Sequence, residues 1–373
     1  MSRGLYLHLP FCVRKCGYCN FVITTDREPE MRARFFNALE REIRQARERY
    51  GALTFDTLYW GGGTPSLLTS EEMNALARSL KSVFTFRPGF EWTLEMNPGD
   101  ADPETIRSFK ALGINRVSLG AQSMNDALLK DMGRTHTAAE TLQTVKALRS
   151  AGIENISLDF IIRLPGQTLA DVRRDMQTVL DLNVPHISLY DLEVHEETAY
   201  GMRARQNQLH LPAEREHESM RLLAEEILAQ GALEPYEILS LGRAGWESKH
   251  NLIYWHNEEY LGLGPGAWSF MEGVRYEFAP SVARYLAKCG QDDWNPDQAE
   301  KLTGESMEVE TLLTGLRLSR GFELSRLRQT RARVESRLAE LAQDGLVEMA
   351  GGTARLTRRG RFLAETALAR LVE

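Results

Sequence analysis

From residue 4 to about 195 the chain alternates short apolar or β-branched runs with amphipathic stretches of helical period. The runs at 5–9, 57–60, 91–95, 116–119, 156–162 and 186–192 predict six strands. The stretches at 28–50, 71–84, 104–112, 138–150 and 169–182 predict helices between them. Repeated βα units of this length imply parallel strands joined by right-handed helical crossovers. The expected architecture is therefore α/β, a partial (β/α)6 barrel of the TIM type over 1–200.

After about residue 196 the alternation stops. A charged amphipathic helix is expected over 213–230 and a strand over 233–241. Then come the aromatic and glycine-spaced segments 250–255 and 260–268, and a linker over 271–305 with one helix carrying Cys289. We assign 201–300 as a barrel extension and linker. From 301 to 373 helices are expected at 307–318, 323–329 and 331–343, a hairpin at 347–356 turning at Gly351-Gly352, and a last helix at 359–372. Three helices and a hairpin make a winged-helix-like C-terminal domain.

Composition adds limits. A chain of 373 residues with 43% hydrophobic and 26% charged positions has the make-up of a folded protein. No stretch of about 18 apolar residues occurs, so no membrane-spanning helix is expected. Four cysteines, three of them clustered, fit a reducing cytoplasm. Arginines are dense after residue 326, but the net charge of −7 argues against nucleic-acid binding. The expected role of the C-terminal domain is docking or covering the barrel.

The candidate chemistry begins at Cys12-Val-Arg-Lys-Cys16-Gly-Tyr-Cys19. Thiolates are soft donors that suit iron–sulfur clusters, zinc or copper(I). Three of them on a [4Fe–4S] cluster leave one iron open to a small molecule, whereas structural zinc wants a fourth ligand, and His8 is the nearby histidine. An odd local set of thiols suits no disulfide framework. In a barrel, functional residues gather at the carboxyl ends of the strands. There follow Gly61-Gly-Gly-Thr-Pro65 after the second strand, Glu95 ending the third, Gln122 after the fourth, Asp159 in the fifth, and Tyr190 and Glu193 late in the sixth. The glycines read either as a tight turn or as backbone bared to a ligand's ammonium or carboxylate.

CxxxCxxC followed by GGGTP resembles the radical S-adenosylmethionine superfamily. With His8-Leu-Pro-Phe-Cys12, Tyr59-Trp-Gly-Gly-Gly-Thr-Pro65, Glu95-Met-Asn-Pro98, Arg116-Val-Ser-Leu-Gly-Ala-Gln-Ser123, Leu164-Pro-Gly-Gln-Thr168 and the C-terminal Leu356-Thr-Arg-Arg-Gly360, the chain is similar to the branch holding oxygen-independent coproporphyrinogen III oxidases and related heme chaperones. The resemblance implies that Cys12, Cys16 and Cys19 hold a [4Fe–4S] cluster. It also implies that S-adenosylmethionine binds the open iron. Gly62, Gly63 and Thr64 would line its methionine part, Arg134 would pair with its carboxylate, and Asp159 would hold its ribose. Glu95 and Gln122 match positions near the same ligand, and Tyr6 one beneath the cluster.

Within the branch, three features favour a heme chaperone over an oxidase. Oxidases carry a further cysteine two residues past the third ligand, where this chain has Phe21, and they have a longer segment before the cluster loop. His250-Asn-Leu-Ile-Tyr254-Trp255 matches an HNxxYW pattern that resembles a heme-binding motif, which makes His250, Tyr254 and Trp255 candidate heme contacts. Two departures stand out. The family's Tyr-Gly or Phe-Gly pair before Leu-Pro-Gly-Gln-Thr is Ile162-Arg163, and its Glu-Pro-Gly-Thr after the sixth strand is His195-Glu-Glu-Thr198. The partners implied are heme or another tetrapyrrole, heme-acceptor proteins and a reducing electron donor, with no nucleic acid and at most peripheral contact with a membrane. Monomer and dimer both stay open, as does anaerobic decarboxylation of coproporphyrinogen III.

Overall fold

The computed structural model describes residues 2–372. Six strands, β1 (Arg3–Leu9), β2 (Thr54–Gly62), β3 (Thr85–Met96), β4 (Arg116–Gln122), β5 (Asn155–Ile162) and β6 (His186–Asp191), lie side by side in chain order, every pair parallel. Helices Pro29–Tyr50, Ser70–Val83, Pro103–Leu112, Ala138–Ser150 and Leu169–Leu182 make the crossovers. Thr69, Thr137 and Thr168 start three of them with capping boxes, and Asp102 caps a fourth by accepting from Glu104 N and Thr105 N. These side chains satisfy amide groups that the first helical turn leaves free, and so fix where each loop ends.

The two faces of this sheet differ in chemistry. Leu5, Leu7 and Leu9 of β1, Leu58 and Trp60 of β2, and Leu94 of β3 are fully buried in the layer beneath the helices. The alternate positions are polar: Tyr6 and His8, Thr57 and Tyr59, Thr93 and Glu95, Arg116 and Ser118, Ser157 and Asp159, His186 and Ser188. They bond across the strands, as in Tyr59 OH to Glu95 Oε1 (2.7 Å), Ser118 Oγ to Asp159 Oδ2 (2.7 Å) and Arg116 Nη2 to His186 Nδ1 (3.2 Å). Parallel strands buried on both faces usually read as continuous apolar runs. Here the inner face is a hydrogen-bonded polar lining.

Past β6 the structure departs from several expectations. The strand over 233–241 is two short pieces, Glu234–Pro235 and Ser240–Gly242, folded back on each other; Tyr236 N donates to Ser240 O at the turn (3.2 Å), and Ser240–Gly242 pairs with β6. The stretch 271–305 is not a linker. Val274–Phe278 and Gln298–Lys301 join Glu259–Leu263 and Ala267–Met271 in extending the main sheet beyond β1, so the sheet has twelve strands. The helix over 323–329 is a short strand, Phe322–Glu323, and a 3-10 turn, Leu324–Arg326. Its reason is Glu308, whose carboxylate accepts from the backbone N–H of Arg328, Gln329 and Thr330 and caps the next helix, Arg331–Gln343. The last helix breaks at Leu363 into Arg358–Phe362 and Ala364–Ala369. A second hydrophobic cluster around Leu312, Phe322, Leu338 and Leu368 holds this C-terminal part together, with the three-stranded sheet of Phe322–Glu323, Val347–Ala350 and Thr353–Leu356 on it.

Helix Lys249–Trp255 closes the lower part of the polar lining. Glu91 of β3 accepts from Lys249 N (3.2 Å) and His250 N (3.0 Å), a carboxylate placed at the helix start where the dipole favours it. The His250 ring lies 5.0 Å from the Tyr59 ring, between Thr57 Oγ1 at Nδ1 and Tyr254 OH at Nε2, each 2.7 Å away. Burial, with Arg116 nearby, pushes its pKa down to about 3, so the ring is neutral.

Two predictions follow from this packing. His250→Ala removes a buried ring and orphans the Thr57 and Tyr254 hydroxyls, and is expected to cost about 2–4 kcal/mol in denaturant unfolding. Glu42, whose carboxylate accepts from Tyr285 OH (2.7 Å) and Gly264 N (2.8 Å), is pushed by burial to about 7. A carboxyl raised in the folded state binds more protons folded than unfolded, so its contribution to stability is lost as pH rises from the ordinary carboxyl range through about 7. Between pH 4.5 and 8, Glu42→Gln should therefore gain stability relative to the parent, on the order of 3 kcal/mol, in unfolding curves taken at both ends.

Candidate functional site

The cysteine loop leaves β1 at Pro10 and is tied to four neighbours. Cys12 N donates to Thr24 O (2.9 Å) and Thr24 N to Pro10 O (2.7 Å), which pins both ends of the loop together. Thr64 N reaches Phe11 O (2.8 Å) from the glycine turn, Gly17 N reaches Met132 O (2.8 Å), and Tyr200 N reaches Gly17 O (2.8 Å). From beneath, His8 Nε2 meets Val22 O at 2.6 Å, so it donates there, and Nδ1 accepts from Tyr6 OH at 3.2 Å. Burial lowers the His8 pKa to about 4, which keeps that tautomer neutral. Tyr6 thus supports the loop through His8, a residue that sequence reasoning named only as a spare ligand.

Cys12, Cys16 and Cys19 are free thiols, all partly exposed. Burial pushes Cys12 up to about 11; a Thr64 hydrogen bond opposes this, and the two other sulfurs add to it. Cys19 is raised as well, by burial first. Three sulfurs at this spacing ionise together only against a large positive charge, which an iron–sulfur cluster supplies. Among the described residues no three His, Cys, Asp or Glu side chains converge on a single ion. Three soft thiols on one short loop fit an iron–sulfur cluster by the chemistry of the donors.

The glycine turn after β2 is explained by close approach. A Cβ at Gly62 would lie 2.7 Å from the His8 ring, with φ at +106°, and one at Gly63 would lie 2.7 Å from Phe11 O. Both readings of the motif hold, because the turn that packs so tightly also brings Gly62, Gly63 and Thr64 to the wall of a cavity. Glu95 accepts from Gly62 N (3.1 Å) and Tyr59 OH, and burial raises it to about 7. Arg134 donates to Gly120 O (2.9 Å), Asn97 Oδ1 and Cys16 Sγ (3.7 Å), and Asn97 continues to Thr64 Oγ1 (3.1 Å). Asp159 accepts from Ser118 and from Ser157 (3.0 Å), and burial raises it. Gln122 sits at φ +62°, a left-handed conformation uncommon for a residue with a side chain and frequent at functional sites. Arg163 also sits at φ +66°, the backbone that a glycine in the family pair would adopt freely.

All three cysteines, the glycine turn, Glu95, Gln122, Arg134 and Asp159 line one cavity of about 670 Å³ at the carboxyl ends of the strands. Its outer wall comes from the C-terminal part: Arg317 and the break between the last two helices, Phe362 to Thr366. The sequence carried no signal for that wall, since a helix break over a cavity is set by packing. The arginines of this part are mostly paired with its own acids or with Glu225, as in Arg358 to Glu225 (2.9 Å), Arg317 to Glu365 (2.7 Å) and Arg355 to Glu348 (2.6 Å).

His250, Tyr254 and Trp255 are not among the residues that line this cavity. His250 touches Thr57, five residues or about 16 Å below Gly62 along β2. It is 1% exposed with both ring nitrogens engaged, so no nitrogen is open to an iron. Trp255 lies under the Arg317 guanidinium, 5.2 Å from its ring centre.

Gly62→Ala should break the support between the glycine turn and the cluster loop. We expect a loss of more than about 1 kcal/mol in unfolding free energy and a lower iron content after anaerobic reconstitution with iron and sulfide.

Two family models match this chain: the Radical SAM superfamily over residues 6–179 and the HemN C-terminal domain over residues 302–363. It is 36% identical over 319 residues to heme chaperone HemW of Lactococcus lactis, covering 86% of this chain and 82% of that one. To heme chaperone HemW of Bacillus subtilis it is 33% identical over 371 residues, covering 97% of both. In structure it is similar to coproporphyrinogen III oxidase (HemN) from Escherichia coli, with a TM-score of 0.87 at 20% identity, covering 99% of this chain and 90% of that one; at this identity the likeness speaks for the fold, an α/β radical SAM fold with a C-terminal helical domain. The six parallel strands, the three-thiol loop at their carboxyl ends and these relatives agree: the chain belongs to the radical SAM superfamily, which implies a [4Fe–4S] cluster and S-adenosylmethionine, and within it to the family of heme chaperone HemW.

Proposed function

We propose that this protein binds heme in the mouth cavity and delivers it to acceptor proteins, among them respiratory ones, as a cytoplasmic chaperone. The observation that carries the reading is the cavity itself, where polar strand ends and the cluster loop face an apolar wall of Phe362, Leu363 and Ile238. A mostly apolar hollow with a few convergent polar groups is the usual form of a ligand site. Relatives called heme chaperones across nearly the full chain support heme as the ligand. Phe21, 63% exposed where oxidases carry a cysteine, supports a chaperone over an oxidase. No helix among the described residues is long and apolar enough to cross a membrane, which suits contact with acceptors from outside the bilayer.

In this reading Cys12, Cys16 and Cys19 hold the [4Fe–4S] cluster, and a bound S-adenosylmethionine supplies a sulfonium that one electron can cleave. The chain's own residues bind and orient. Gly62, Gly63 and Thr64 present backbone and a hydroxyl to the methionine part. Arg134, held by Gly120 O and Asn97, presents its planar fork to the carboxylate. Glu95 takes N–H groups, Asp159 takes ribose hydroxyls, Gln122 closes the rim, and Tyr6 steadies the loop through His8. Glu95 near 7 is poised to lose its proton once a cationic group arrives.

The test is anaerobic reconstitution followed by separate titrations with heme and with coproporphyrinogen III. We expect one heme per chain, with transfer to an apo-hemoprotein, and no decarboxylation in the presence of reductant and S-adenosylmethionine. Turnover of coproporphyrinogen III, or no heme uptake, overturns the reading.

A further inference from the structure

The strand β3 ends in the turn Asn97-Pro-Gly-Asp100. Pro98 stands at its second position and Gly99, at φ +80°, at its third, while Asp100 N donates to Asn97 O (3.3 Å), the pattern of a type II turn. Gly99 N donates to Thr144 Oγ1 (3.1 Å), which fastens the tip to helix Ala138–Ser150. Asp100 lies just past the Glu95-Met-Asn-Pro98 motif and lines the mouth cavity.

The turn folds the Asp100 carboxylate back onto Asn97. Asp100 Oδ2 accepts from Asn97 N (3.3 Å), from Asn97 Nδ2 (3.0 Å) and from Ser66 Oγ (3.4 Å). A carboxylate accepts and has no proton to give, so it can face only the nitrogen end of an amide. Asn97 Nδ2 is thereby committed to Asp100 and to Thr64 Oγ1 (3.1 Å), and Asn97 Oδ1 is left to accept from Arg134 Nη2. A guanidinium carries donors and no acceptor, so an amide turned the other way would set donors against donors. Gly120 O accepts from the same Nη2 (2.9 Å). Both partners of that nitrogen are neutral oxygens, which fix the guanidinium without cancelling its charge.

We infer that Asp100 is a positioning residue for S-adenosylmethionine: through the Asn97 amide it sets the Arg134 guanidinium to meet the ligand's carboxylate. The inference rests on the assignment of Arg134 to that carboxylate. Asp100 acts at one remove, so its effect should vanish when either Arg134 or the carboxylate is taken away.

The test measures binding of labelled S-adenosylmethionine by equilibrium dialysis to the full chain loaded anaerobically with its cluster, with bound label counted per cluster. The new amide of Asp100→Asn can donate to the Asn97 oxygen, so the Asn97 amide loses its fixed sense and S-adenosylmethionine should bind about tenfold more weakly. In an Arg134→Gln background the same change should cost less than about twofold. Decarboxylated S-adenosylmethionine should bind Asp100→Asn and the parent within about twofold of each other, which a general loosening of the turn would not allow. Asp100→Ser, a second variant, keeps an acceptor for the turn but is too short to hold the amide nitrogen, and should behave as Asp100→Asn. Equal weakening for both ligands, the same loss persisting without Arg134, or unchanged S-adenosylmethionine binding in Asp100→Asn overturns the inference. An Arg134→Gln protein that binds S-adenosylmethionine as tightly as the parent overturns the assignment of Arg134 itself.

Discussion

Everything in the mouth of this molecule stands on a polar inner face that has to be satisfied from both ends. Buried Arg116, 2% exposed, faces the same interior as Glu95 and Asp159, and a buried charge survives only with partners. Below, helix Lys249–Trp255 supplies His250 and its amides to Thr57 and Glu91. Above, Tyr59, Ser118 and the Gly62 amide leave Glu95 and Asp159 held but open to the cavity. The HNxxYW segment is therefore a floor. Its histidine ring packs 5.0 Å from the Tyr59 ring, whose hydroxyl donates to Glu95.

The cluster loop is rigid for a related reason. A segment of eight residues with three thiols has little structure of its own, so order comes from outside: Thr24, Thr64, Met132, Tyr200 and the His8–Val22 contact. Thr64, Met132 and Tyr200 come from the segments that follow β2, β4 and β6, while Thr24 and Val22 belong to the far end of the loop's own segment. Glycine is needed at Gly62 and Gly63 because the turn is pressed onto His8 and Phe11. The strained backbone at Gln122 fits the same picture, since a residue held at φ +62° is paid for by the surrounding packing.

The C-terminal part completes the cavity wall. Its arginines neutralise acids within the chain, notably Glu225, and so fasten it over the barrel mouth. The break at Leu363 puts an apolar edge opposite the cluster loop.

Much of this was legible in the chain by itself. Period-2 and period-3.6 patterns located the six strands and five helices to within three residues except at the start of β3, because each buries one face against the same sheet and four of the five helix starts carry their own cap. That Cys12, Cys16 and Cys19, the glycine turn, Glu95, Gln122 and Asp159 share one rim was readable because they fall at strand ends, and parallel strands bring those ends together; Arg134 came from the family resemblance alone. Residues 271–305 were misread because short edge strands have no period long enough to register. The burial of His250 and the break at Leu363 belonged to tertiary structure alone. Whether an imidazole is a buried strut or an open ligand depends on which hydroxyls and carboxylates other segments bring to its two nitrogens, and no local pattern records that.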